Sequence, residues 1–120
     1  MNKSIMWVLS IIGLIGINVG AIPIAIFSMF DTAEGTSIFS FDYALAFGII
    51  VAANIVVAQM IVSTVKGQTN LFLAGLVVAV VEVAFFTVFY AGYLGTAVMA
   101  IAAVVIVVAS IALLVQTLRK

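Results

Sequence analysis

A chain of 120 residues with 68% hydrophobic and only 7% charged side chains cannot clothe itself for water, because a soluble domain carries about 25% charged residues. The composition specifies an integral membrane protein. With no cysteine and no histidine, disulfides, thiolate metal sites, bis-histidine haem ligation and histidine acid–base catalysis are excluded, and zero net charge without a basic cluster gives nucleic acid no footprint.

Four apolar segments follow in order, at residues 5–30, 43–65, 71–90 and 97–118. Each is about 20 residues or longer, enough for a helix to cross the hydrocarbon core. In the first segment Lys3, a long apolar stretch and Val19-Gly20-Ala21 resemble a secretory signal peptide with its cleavage site. We read it instead as a genuine first helix, bent near Pro23, since proline removes a backbone donor and crowds the preceding turn. The break over 31–42 is acidic and polar, and Ser40 or Asp42 suits the cap of the second helix. At 66–70, Gly67 suits a helix C-terminus and Thr69 or Asn70 the next N-cap. At 91–96, Thr96 is the expected cap. Short breaks force neighbouring helices to lie antiparallel and in contact. The expectation is one all-α domain over 1–120, an antiparallel bundle of four transmembrane helices.

The basic residues set an orientation. Lys3 precedes the first segment, Lys66 separates the second from the third, and Arg119-Lys120 follow the fourth. With four spans all of them fall on one face, which the positive-inside rule makes cytoplasmic, so both termini are expected inside a cell membrane. Asp31, Glu34 and Asp42 then fall outside. They match no calcium-loop spacing and read as a solvated acidic face, not a metal site. Tyr43, Tyr90 and Tyr93 suit an outer interfacial belt, while Trp7 and Phe72 mark the inner side.

One carboxylate is left in the bilayer. Glu82 lies roughly 16–17 Å along a helix from Leu71, about half of a core of roughly 30 Å. An ionisable group there costs several kcal/mol unless neutralised, paired or wetted, and is by default a candidate functional site. No Lys or Arg lies at that depth, so the neutral carboxyl is the expected form. Asn18 and Asn54 sit near the middle of their own segments, in the same layer, where their amides can meet the Glu82 carboxyl. The layer reads either as interhelical glue or as a proton, ion or lipid site. Small residues allow close backbone approach: Gly13, Gly16 and Gly20 in the first segment, Gly48 in the second, and Gly75 with Ala79 in the third. Gly75, Ala79, Glu82, Phe86 and Phe89 share one stripe by their spacing. The fourth segment, rich in Ala and Val, reads as a wall facing lipid or another subunit.

From Glu82 the sequence runs Glu82, Val83, Ala84, Phe85, Phe86, Thr87, Val88, Phe89, Tyr90. This resembles, over 82–90, the membrane-glutamate helix of haem–copper oxidase subunit III. The resemblance implies a subunit without redox centres, packed on a catalytic subunit and holding lipid near its glutamate. Two functional expectations follow. The first is a non-catalytic accessory subunit of a larger membrane complex, such as a respiratory or other oxidoreductase assembly. It would have transmembrane subunits and lipids as partners and no cofactor bound by this chain alone. The second is a small proton- or cation-coupled transporter, working as a homo-oligomer with Glu82 as carrier carboxylate.

Overall fold

The computed structural model describes residues 2–27, 41–92 and 95–120. It is all-α, with α1 (Lys3–Phe27), α2 (Phe41–Lys66), α3 (Thr69–Ala91) and α4 (Thr96–Arg119). Each helix is long and apolar enough to cross a membrane, the architecture of a multi-pass membrane protein. The helices outrun the apolar segments at most ends, because the backbone ladder continues through polar residues such as Lys66 and Thr69. Residues 28–30 of the first segment, Asp31, Glu34 and Ser40 of the acidic break, and Tyr93 lie outside the described residues.

Glycine ends two of the helices in the described turns. Gly67 holds φ +72°, a left-handed conformation that glycine adopts without penalty. Its N–H bonds to Thr64 O at 3.2 Å, and that of Gln68 bonds to Ser63 O at 2.9 Å. These are the two bonds of a Schellman motif. Because the motif takes up Gln68, α3 starts at once behind it. The N-cap is therefore Gln68, without a side-chain cap bond, and not Thr69 or Asn70. Gly95 likewise takes the N-cap position expected for Thr96. A cap missing from the sequence reading is Asn2, whose Oδ1 accepts from the Ile5 N–H at 2.9 Å.

Helices α2 and α3 touch each other and both remaining helices, whereas α1 and α4 make no contact among the described residues. The core is therefore built on the α2–α3 pair, with Ile17, Val56, Met60 and Phe72 buried to 2% exposure or less. Phe72 is thus a core residue and not part of an interfacial belt. Two glycines let neighbours in. A methyl at Gly20 would stand 2.6 Å from the Phe86 ring, and one at Gly75 would overlap Gln59 Oε1. Gly13 and Gly16 face Met60 and Val83 at ordinary distances of 3.7 and 3.8 Å. Gly48 faces open space and packs against nothing in the described chain.

Pro23 sits inside a continuous α1, where it withdraws a backbone donor from the preceding turn. One turn back, the Gly20 carbonyl accepts from Tyr90 Oη at 2.7 Å, tying α1 to α3 there. At the other end, lysines hold carbonyls near helix termini. Lys3 Nζ donates to Val65 O at 3.2 Å, and Lys66 Nζ donates to Thr117 O at 2.9 Å and Leu118 O at 3.1 Å. A cation suits these positions because the last carbonyls of a helix have no intrahelical partner and carry the negative end of its dipole.

Candidate functional site

Asn18 and Asn54 form a closed pair between α1 and α2. Asn18 Nδ2 donates to Asn54 Oδ1 at 2.8 Å, and Asn54 Nδ2 returns a bond to Asn18 Oδ1 at 3.0 Å. The second hydrogen of each amide goes to its own helix, to Leu14 O and Ile50 O, both at 2.7 Å. All four amide hydrogens are spent, so neither asparagine has one for Glu82. The three residues thus separate into a self-satisfied pair and a lone carboxyl. The pair has the chemistry of interhelical glue. Replacing Asn18 and Asn54 by leucine singly and together should give a coupling energy of about 1 kcal/mol. Titration with a denaturing detergent measures it, and additive single effects would refute the coupling.

Glu82 is only 5% exposed, and its Oε2 is buried without a hydrogen-bond partner. It lines a partly open cavity of about 210 Å³ bordered by residues of all four helices. From its own helix come Phe85, Phe86 and Phe89. Ile24 of α1, Ile49, Ala52 and Ala53 of α2, and Ala103, Ile106 and Val107 of α4 complete the lining. Every lining side chain except Glu82 is apolar. The spacing on α3 explains the arrangement, since Glu82, Phe85, Phe86 and Phe89 are three or four residues apart and share one helix face. Phe85 and Phe86 meet edge to face, with centroids 5.6 Å apart at 66°, so the two rings are turned differently around the carboxyl. Helix α4 is therefore more than an outer wall, because three of its small or branched residues line the site.

A second polar cluster was not legible as a site. Gln59 is fully buried, and its Nε2 donates to Leu71 O at 2.8 Å and Thr117 Oγ1 at 3.0 Å. Ser10, Ser63 and Thr64 are buried nearby in sequence or contact, with the Ser10 and Thr64 hydroxyls 3.5 Å apart. The signal that could have found it is the stripe Val56, Gln59, Ser63 on α2, at helical spacing. Ser63, Thr64, Ser110 and Thr117 each donate to a backbone carbonyl of the preceding turn, which lets hydroxyls sit in an apolar interior at little cost. This cluster holds helices together.

No protein-family model matches the chain, and no curated protein or solved structure matches it.

Proposed function

We propose that this chain is a small proton-coupled membrane transporter in which Glu82 is the carrier carboxyl. The observation that carries this reading is a buried carboxyl oxygen without a partner, on a residue that lines an apolar cavity bordered by all four helices. Gln59 Oε1, Gln68 Oε1 and Glu82 Oε2 are each buried without a partner, at a cost of about 1–3 kcal/mol apiece, and of these three side chains only Glu82 can exchange a proton. A carrier carboxyl must be free to exchange its proton for something else. The four helices form an antiparallel bundle, with Lys3, Lys66 and the C-terminus together on the cytoplasmic side of a cell membrane. The lysine contacts that join the start of α1 to the end of α2, and the end of α2 to the end of α4, support this arrangement. Residues of one chain line the cavity from all four helices, and no enzymatic activity is proposed.

Reconstitution of the purified chain into sealed vesicles tests the reading. An imposed pH gradient should drive proton movement coupled to uptake of a substrate, and vesicles that conduct neither refute it. The absence of native cysteines makes the orientation simple to check. Ser4→Cys and Lys120→Cys should both be labelled by an impermeant thiol reagent only from the cytoplasmic side, and labelling of either from outside refutes it.

A second reading, the accessory subunit of a larger complex, is favoured by one observation. Ala44 and Gly48 on α2 are exposed, with open space over Gly48, a small-residue surface on which another transmembrane helix can pack closely. Mild-detergent purification decides it: larger partners should co-purify, and a partner-free preparation that still transports excludes it.

A further inference from the structure

We infer that the Glu82 cavity binds a small aromatic organic monocation, which exchanges with the carboxyl proton. The inference rests on the transporter reading and names its substrate class. Elimination from the lining gives the class. A buried water needs two to four polar partners, and here Glu82 is the only one. Hard metal cations need several oxygens: six to eight for calcium, and a near-ideal octahedron for magnesium. A single carboxyl in an apolar shell cannot replace their hydration. An uncharged apolar molecule would fill the space but leave Glu82 Oε2 as it is, buried and unpaired. What satisfies both the carboxyl and the walls is a ligand whose positive charge lies inside an apolar body. Three phenyl rings beside one carboxyl suit such a cation, because aromatic faces attract positive charge and carry no hydration to lose.

Size narrows the class further. At about 210 Å³ the cavity lies below the roughly 300–1,000 Å³ of sites for drug-sized ligands, so one substituted ring fits and a tetra-aryl cation does not. A route for such a ligand is also present. Phe85 and Ile106 line both this cavity and an apolar groove between α3 and α4 that includes Val81, Ala84 and Val105. Those two side chains are the wall between the groove and the site. A ligand dissolved in the bilayer would reach Glu82 by passing them.

The exchange balances simply. The neutral carboxyl of Glu82 gives up its proton, the carboxylate pairs with the incoming cation, and one proton leaves for each cation bound. The side chains that α1, α2 and α4 turn to the cavity are all aliphatic, and α3 adds only phenyl rings. Among the described residues no second titratable or charged group lines the cavity with Glu82. Binding should therefore weaken steadily as the medium is acidified.

The test uses the full-length protein in detergent, with benzyltrimethylammonium as probe and its uncharged carbon isostere, 2,2-dimethylpropylbenzene, as control, read by calorimetry. The cation should bind at least about tenfold more tightly than the isostere, release a proton measurable in weak buffer, and outcompete tetraphenylphosphonium. Glu82→Gln should remove the preference for charge. Equal binding of cation and isostere by the unaltered protein overturns the inference, whether or not the variant folds. Binding unchanged in a folded Glu82→Gln protein overturns it as well. Cation binding with proton release but no flux in vesicles upholds the site and removes the transporter reading. Proton flux that depends on Glu82 without cation binding does the reverse.

Discussion

Replacing Glu82 by glutamine should reduce proton-coupled flux in sealed vesicles to that of protein-free vesicles, while the fold survives. Glutamine keeps the shape and polarity of the side chain but cannot give up a proton, so it separates a carrier from a packing group. In the present fold the carboxyl gives no hydrogen bond to lose: Oε2 has no partner, and the Asn18 and Asn54 amides are spent on each other and on their own helices. Its removal should accordingly shift stability by less than about 1 kcal/mol. Glu82→Asp is the informative companion. It keeps the titrating group but draws it back by a methylene, so it should retain coupled flux at a reduced rate. Full flux in a folded Glu82→Gln protein would exclude the carrier role. Loss of folding in that variant would instead make Glu82 structural.

Alanine at Gly75 should cost about 1–2 kcal/mol of stability, although alanine ordinarily favours a helix. The two effects oppose each other, and their sizes decide the sign. Exchanging a helical glycine for alanine gains about 0.8–1 kcal/mol. Overpacking a close contact costs about 1–3 kcal/mol, and here the new methyl would overlap Gln59 Oε1 and stand 2.8 Å from Gln59 Cδ and 3.2 Å from Met60 Cγ. Gln59 is fully buried and fixed by its bonds to Leu71 O and Thr117 Oγ1. To move aside it must strain or give up bonds worth about 0.5–1.5 kcal/mol each. The steric cost wins. Gly48 supplies the control: its site is open, so Gly48→Ala should be neutral or stabilising by up to about 1 kcal/mol. Unfolding midpoints in a denaturing-detergent titration compare the two. Adding Gln59→Ala to Gly75→Ala should recover the part of the loss due to the clash, and no recovery would show that the contact is not its source.

The site was legible in part. Glu82 stands out because a lone carboxylate in an apolar run is rare and costly, and helical spacing alone puts it on one face with Phe86 and Phe89. That it would remain without a partner was not legible. Depth counting places Asn18, Asn54 and Glu82 in one layer, but depth says nothing of rotation about each helix axis, and rotation decided that the amides meet each other. Gln59 escaped notice for the opposite reason. A single amide two turns inside α2 shows no partner in its own segment until α3 and α4 pack on it, and the glycine that makes room, Gly75, lies 16 positions away in the chain.

The sequence by itself determined the class of this protein, the number of helices and, in the described residues, the breaks that follow α2 and α3. These follow from local quantities: apolar length against bilayer thickness, and glycines such as Gly67 and Gly92, whose positive φ ends a helix wherever it falls. Tertiary structure alone decided that α2 and α3 form the centre, that α4 lines a site as well as an outer wall, and that Glu82 faces a cavity and not a bonding partner. In helices apolar on nearly every side, the hydrophobic pattern no longer marks an inner face. Which side turns inward is then set by shape, through Gly20 against Phe86 and Gly75 against Gln59, and by the few polar groups that must find one another in the absence of water.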